Sequence, residues 1–163
     1  MASFLCFLRT HQRTWRKEQR KRIITFFCMA LYFRKQSMLW RTLTLLLWMG
    51  VIFSFSTMQG SSQAFDPPLW YYLERKGAHV FEYAILLLLS LSFFRGIFPK
   101  ESLFRVLLLS SFFSIMYAMT DELHQFFVPY RGARMSDVLI DSVSVLVTAS
   151  LFFVLYCKQG KKP

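Results

Sequence analysis

Four polar side chains interrupt the apolar sequence between residues 121 and 125. Asp121, Glu122, His124 and Gln125 directly follow residues 103–120, an apolar run long enough to be a membrane span. Charge near lipid costs free energy, so ionisable groups in such positions usually face a protein interior or a water-filled cavity and mark function. A carboxylate or an imidazole placed there can transfer a proton, or it can hold the polar part of a ligand.

Two further groups of polar residues lie at the start of other apolar runs. One group contains Lys76, His79, Glu82 and Tyr83, and the other contains Asp137 and Asp141. Spacings of three and four residues place each group on one face of a helix. Because polar faces are disfavoured against lipid, we expect three helices to turn these faces toward one another and to form a single polar site.

The helices that must position these side chains are predicted from four apolar runs. Each run is near the length of about 20 residues that a helix needs to cross the hydrocarbon core. Helices are expected because lipid cannot satisfy open backbone groups. The sequence therefore predicts an all-α integral membrane bundle of four transmembrane helices, at residues 39–55, 78–94, 103–120 and 138–156.

The basic residues are unevenly distributed along the chain. Residues 1–41 carry ten Lys or Arg and one Glu, whereas residues 42–163 carry ten Lys or Arg and eight acidic residues. The net charge of +11 therefore comes from an N-terminal arm and does not indicate a nucleic-acid partner. With four spans, the side holding both termini has sixteen basic residues and the other side has four. This asymmetry predicts an N-in, C-in topology with the polar groups at the outer face.

The sequence divides into three parts: a basic arm (residues 1–37), a four-helix transmembrane domain (38–157) and a basic tail (158–163). Within the arm, residues 23–33 are apolar but too few to span. Two interpretations of the arm remain open. It lies on an anionic lipid surface, or it is an extension upstream of a true start at Met29 or Met38. Nothing in the sequence identifies a cofactor.

The connection between the third and fourth spans contributes two further cations. Arg131 and Arg134 follow Pro129, which ends a helix, and they precede Asp137. A guanidinium group suits bidentate recognition of a carboxylate or a phosphate. Asp137 has a second interpretation, since an acidic residue also stabilises a helix N-terminus. We therefore expect Arg131 and Arg134, together with Lys76, to bind an anionic group.

At these residues the chain resembles the VanZ-like family of bacterial membrane proteins. The resemblance covers residues 40–156 and implies a multi-pass protein of the bacterial cell membrane with a shared site at the outer face. The family is named for a protein linked to low-level resistance to the glycopeptide teicoplanin, and the resemblance supplies no reaction. The matching segments are KGAHVFEY (76–83), TDELHQFF (120–127), PYR (129–131), SDVLID (136–141) and FSFSTMQ (53–59).

Two functions remain open at this stage, and the sequence does not decide whether the protein is an enzyme. The first is to bind or modify an anionic lipid or a lipid-linked cell-wall precursor, with an effect on glycopeptide susceptibility. Its ligand-binding candidates are Lys76, His79, Glu82, Gln125, Arg131, Arg134 and Asp137.

The second function is a membrane enzyme that hydrolyses or transfers a lipid-linked phosphate. Its catalytic candidates are Asp121, Glu122, His124 and Asp141, acting as an acid–base site. A metal-dependent variant has less support because no HExxH motif occurs, so no metal ligand is assigned. The same groups also fit a structural network of ion pairs with no chemical role. The lipid bilayer is the one partner predicted, and the oligomeric state stays open.

Overall fold

Four α-helices make up the part of the chain that the structure, a computed structural model, describes. That part is residues 37–58, 69–129 and 135–158, without the side chains of residues 69–75. No strand occurs within these ranges. The helices are α1 (Met38–Ser56), α2 (Leu69–Ile97), α3 (Leu103–Phe126) and α4 (Met135–Lys158).

Each helix is long and apolar enough to span a membrane. Large apolar side chains lie exposed on every helix, among them Leu47, Phe81, Phe112 and Leu139. An exposed apolar surface of this extent suits lipid better than water. The prediction of an all-α bundle of four membrane-spanning helices is therefore confirmed. The N-in, C-in direction remains a prediction, and the arm and the tail beyond Lys158 lie outside the described residues.

Two helices extend well beyond the predicted apolar runs. Helix α2 begins at Leu69, nine residues before the predicted start, and α3 continues through its polar residues to Phe126. Apolar runs mark contact with lipid, whereas backbone hydrogen bonding continues through polar residues that face the protein. Helix α3 ends three residues before Pro129, and the Phe127 N–H donates to the His124 carbonyl. The residue before a proline disfavours helix, which is consistent with an end at this place.

A short connection makes α2 and α3 antiparallel neighbours. Ser102 caps α3 by accepting a hydrogen bond from the Arg105 N–H at 3.4 Å. The Arg105 guanidinium also donates to Glu101 Oε2 at 2.9 Å. Arg95, in the last turn of α2, donates to the Glu101 carbonyl at 2.6 Å. Arg95 therefore complements the dipole at the end of α2, and Ser102 satisfies a backbone N–H at the start of α3.

Helices α2, α3 and α4 pack against one another, while α1 packs mainly against α2. In lipid this packing rests on van der Waals contact and polar contacts between helices. Serines at the α2–α3 contact allow close approach: Ser90 and Ser114 are fully buried, with their hydroxyls 3.4 Å apart. The buried core contains Leu45, Ile52, Tyr83, Leu86, Leu87, Ala118 and Val145.

A buried arginine joins α1 to the far end of α2. Arg41 is 8% exposed, and its guanidinium donates to the Ser92 carbonyl at 2.5 Å. Gly96, one turn further along α2, makes room for this contact. A Cβ at residue 96 would collide with Met38 Sδ and stand 3.1 Å from Arg41 Nη1. The absence of a side chain at Gly96 thus permits α1 to approach α2 at this end of the bundle.

Candidate functional site

The predicted polar residues lie at the other end of the bundle, where α1 and α3 finish and α2 and α4 have their first turns. The helices alternate in direction, so sequence segments far apart meet there. These residues come from three helices, and we call them the polar cluster. It contains Lys76, His79 and Glu82 of α2, Asp121, Glu122, His124 and Gln125 of α3, and Asp137 and Asp141 of α4.

Two ionic contacts join α2 to α4 within the polar cluster. Lys76 forms an ion pair with Asp137, which lies in the first turn of α4 and so also complements the helix dipole. One turn deeper, His79 Nδ1 lies 3.6 Å from Asp141 Oδ1. Deeper again, the Ser144 hydroxyl donates to the backbone carbonyl of Val80 in α2 at 2.6 Å. Both interpretations of Asp137 therefore have support, since it is at a helix start and holds a cation.

Helix α3 contributes three polar side chains that are almost completely buried. Asp121, Glu122 and Gln125 are 4%, 5% and 2% exposed. The Gln125 amide donates to Asp121 Oδ2 at 2.9 Å, as residues one turn apart on a helix can. Asp121 Oδ1 has no hydrogen-bond partner among the described residues. The amide therefore orients the Asp121 carboxylate and leaves one oxygen available.

Asp141 is the centre of the polar cluster. Its side chain is fully buried, and it lies within electrostatic reach of Glu122, Asp121, Asp137 and Glu82. The convergence expected from helical spacing thus brings five carboxylates from three helices into one region. The cluster is deepest at Asp141 and half-exposed at its rim, where the Lys76 and Asp137 side chains are 34% and 20% exposed.

Helix α1 also borders the polar cluster, which the sequence did not reveal. The Trp48 indole donates to the Glu82 carbonyl at 3.0 Å. The rings of Phe53 and His124 lie 4.5 Å apart between centroids. The segment FSFSTMQ (53–59), which matches the family, begins at this end of α1, but none of its residues was among the predicted site residues.

Two tyrosines lie beside the carboxylates and differ in their hydrogen bonding. The Tyr117 hydroxyl donates to the Met49 carbonyl at 2.7 Å. Tyr83 is fully buried with its ring parallel to that of His79, and its hydroxyl has no hydrogen-bond partner among the described residues. Tyr83 belongs to the polar group predicted on this helix, although it is not among the candidate binding or catalytic residues.

Two predicted cations cannot be placed in this site. Arg131 and Arg134 fall in residues 130–134, outside the described ranges. Lys76, the third predicted anion-binding residue, is engaged by Asp137. No group of three or more His, Cys, Asp or Glu side chains that could hold a metal ion occurs in the part of the chain that the structure describes.

The site has two chemical capacities. A histidine beside a buried carboxylate, as His79 is beside Asp141, can accept a proton, and the carboxylate can stabilise the charge that develops on the ring. The available oxygen of Asp121 and the hydroxyl of Tyr83 can form hydrogen bonds to a ligand.

The four apolar helices define a multi-pass membrane protein whose polar residues are gathered inside the bundle. The model of the VanZ/LLP1 family matches residues 2–156. The chain therefore belongs to the VanZ/LLP1 family, and the family prediction is confirmed. The matched region also includes nearly all of the basic arm, beyond the segment covered by the resemblance. No curated protein and no solved structure matches the chain.

Proposed function

We propose that this protein binds the head group of an anionic lipid or a lipid-linked cell-wall precursor in the polar cluster, at the outer face of the bacterial cell membrane. The burial of Asp121, Glu122 and Asp141 in an otherwise apolar bundle carries the proposal. Burying three carboxylates costs several kcal/mol unless partners compensate them. Such a cost is usually retained where the groups recognise a ligand or do chemistry.

The rim of the polar cluster supports access from the membrane surface. The Lys76 side chain at the rim is 34% exposed, whereas Asp141 beneath it is fully buried. A head group that enters from the rim would meet Lys76 first. The anionic part of the ligand is assigned to Arg131 and Lys76, together with Arg134, which is three residues after Arg131 in the sequence. Occupation of such a site would change how a glycopeptide reaches its envelope target.

Native mass spectrometry of the purified full chain tests this function. We expect wild-type protein to retain a defined lipid or lipid-linked molecule. The double variant Arg131→Gln/Arg134→Gln should lose it, because two charge-assisted contacts are removed. The matched control is Arg105→Gln, which removes an exposed arginine at the opposite end of the bundle. Identical adducts in all three proteins, or none in the wild type, would refute the proposal.

The contact between His79 and Asp141 favours a second function, an enzyme acting on a lipid-linked phosphate. In this alternative His79 takes a proton from water as the water attacks the terminal phosphorus of a lipid diphosphate. The phosphoanhydride bond breaks, and the lipid monophosphate leaves. Asp141 orients the ring and stabilises its charge. The sequence offers His124 and Glu122 as candidates for this base, whereas the structure places His79 beside the buried Asp141 carboxylate. His79 is therefore the base that this alternative favours.

The enzyme alternative differs from binding in its kinetics. Release of phosphate from an undecaprenyl diphosphate substrate by the purified protein would be measured against pH. We expect His79→Gln to lower turnover at least 100-fold while substrate still binds, since a general base contributes about 10²–10⁴ to a rate. Turnover that is absent in the wild type, or unchanged in His79→Gln, would exclude this alternative and leave the binding function standing.

A further inference from the structure

The polar cluster contains more carboxylates than cations. Five acidic residues face one lysine and two histidines, and Lys76 is already paired with Asp137. Asp121 and Asp141 are almost completely buried, and the His79 imidazole lies 3.6 Å from Asp141. In a low-dielectric interior two buried carboxylates favour a further positive group beside them.

Buried hydrogen-bonding groups also indicate that the polar cluster binds a group from outside the described residues. Asp121 Oδ1 and both carboxylate oxygens of Asp141 are buried and have no hydrogen-bond partner among the described residues. The fully buried Tyr83 hydroxyl also has no partner in this set, and it lies within electrostatic reach of Asp121 and Asp141. Buried polar atoms in folded proteins are nearly always hydrogen-bonded. A ligand that supplies several donors would satisfy these groups together.

The chemistry of these acceptors indicates which kind of group they would bind. Metal is not favoured, because the described residues form no set of three or more metal-binding side chains. A primary ammonium carries one positive charge and three N–H donors, which can reach three acceptors at once. Lys76 already provides an example at the rim, since its own ammonium is held by Asp137.

We infer that the polar cluster recognises a primary ammonium group, held by Asp121, Asp141 and Tyr83. This inference rests on the proposed function and adds a primary amine to the phosphate-bearing head group that the protein binds. Charge-assisted hydrogen bonds to two carboxylates would distinguish such a ligand from one with the same phosphate and no amine. The requirement is for the amine, whether a phospholipid or a lipid-linked precursor carries it.

Three lipids separate the amine from the rest of the head group. Full-length protein in detergent micelles is titrated with dioleoylphosphatidylethanolamine, its N-acetyl derivative and dioleoylphosphatidylglycerol, and binding is read by native mass spectrometry. We expect phosphatidylethanolamine to bind at least about tenfold more tightly than either of the others, a difference of about 1.4 kcal/mol. Ethanolamine at millimolar concentration should compete for the site if the ammonium provides most of the recognition.

Two tyrosine variants separate recognition from stability. Tyr83→Phe removes a hydroxyl with no described partner, so a purely structural role predicts neutral or increased stability and unchanged binding. We expect it to reduce the preference for the amine several-fold. The matched control, Tyr117→Phe, loses its hydrogen bond to Met49 and should lower stability without changing that preference. Asp141→Asn should abolish the preference, provided size-exclusion chromatography shows a folded protein.

The outcomes distinguish this inference from the function on which it rests. Equal binding of all three lipids, lost in Arg131→Gln/Arg134→Gln, would overturn the amine requirement and keep head-group binding. A preference for the amine that Tyr83→Phe and Asp141→Asn both retain would place the ammonium elsewhere and overturn the assignment. Binding of ethanolamine with no lipid bound would keep ammonium recognition and overturn the lipid function.

Discussion

Asp141 has no exposed surface, although it is a carboxylate on a helix whose other faces contact lipid. Its nearest described cationic partner is His79, at 3.6 Å. This arrangement has two explanations, a site that uses the carboxylate and a network that only fixes the packing of α2 on α4. The two explanations differ in what a substitution changes, because loss of a packing contact lowers the amount of folded protein.

The variants His124→Ala and Asp141→Asn test these explanations. If the polar cluster is functional, both should abolish the phenotype that the protein confers, such as altered glycopeptide susceptibility, at normal membrane abundance. If the cluster is only structural, abundance should fall and activity per molecule should stay unchanged. Quantitative immunoblotting of membranes beside susceptibility assays makes the comparison. Thr120→Ala, an exposed position on α3, serves as the matched control.

The ion pair between Lys76 and Asp137 lies at the rim, so its contribution should be small. A double-mutant cycle with Lys76→Met and Asp137→Asn would measure it from unfolding in detergent. We expect a favourable coupling of about 0.2–1 kcal/mol, as in other pairs that water reaches. A coupling above about 3 kcal/mol would mean instead that the pair is desolvated in the membrane and belongs to the interior of the site.

At the scale of the helices, Gly96 and Arg41 fix the contact of α1 with α2. Gly96→Leu should destabilise the protein by about 1–3 kcal/mol, because its Cβ meets Met38 and Arg41. The matched control is Gly50→Leu, since nothing lies within 4 Å of a Cβ there. Unfolding in increasing SDS would compare the two. Met38→Ala should partly restore Gly96→Leu, and equal stability of both leucine variants would contradict this account.

The sequence predicted the helices better than it predicted their contacts. Apolar runs located all four spans, because contact with lipid demands apolar side chains along the full width of the bilayer. Spacing also grouped Lys76 with His79 and Asp137 with Asp141. Spacing could not show that Lys76 contacts Asp137, because the residues on one face of a helix do not determine which helix packs against that face.

Contacts that involve backbone atoms or α1 were beyond prediction for a related reason. The Trp48 indole binds a carbonyl of α2, and every residue has a carbonyl, so no residue type marks the acceptor. The residue type of Tyr83 does not distinguish it from a tyrosine that only packs in the core. Its buried hydroxyl, which has no hydrogen-bond partner among the described residues, sets it apart. Helix α2 begins before the predicted span because Glu74, Arg75 and Lys76 interrupt the apolar run, whereas the helical backbone continues through them from Leu69.

At the scale of the whole molecule, the direction of the bundle in the membrane is the first question. The sixteen-to-four distribution of basic residues predicts that position 100 is cytoplasmic and position 131 is outside. Single cysteines at each position, in a chain with Cys6, Cys28 and Cys157 replaced, would be exposed to an impermeant maleimide on intact cells. We expect labelling at 131 and none at 100, and the reverse pattern would invert the topology.

The basic arm supports a separate prediction. Deletion of residues 1–37 should leave insertion and activity intact, because the polar cluster and all described helices lie beyond it. Contact with anionic lipid should weaken by about 1 kcal/mol for each basic residue near the surface. Abundance in membranes, activity and binding to anionic vesicles are the measurements. The family match begins at residue 2, so loss of folded protein on truncation would make the arm part of the family's common structure.

The unequal lengths of the helices have a consequence for the surrounding lipid. Helix α1 has 19 residues, a length of about 28 Å, whereas α2 has 29 residues and measures about 43 Å. A hydrocarbon layer of about 30 Å leaves α1 with no length to spare, while α2 can tilt. Longer acyl chains should therefore strain α1 first, the helix that contacts Glu82 and His124 through Trp48 and Phe53. Bilayer thickness thus becomes a physical variable that acts on one wall of the polar cluster, and hydrophobic mismatch can tune the protein without any ligand.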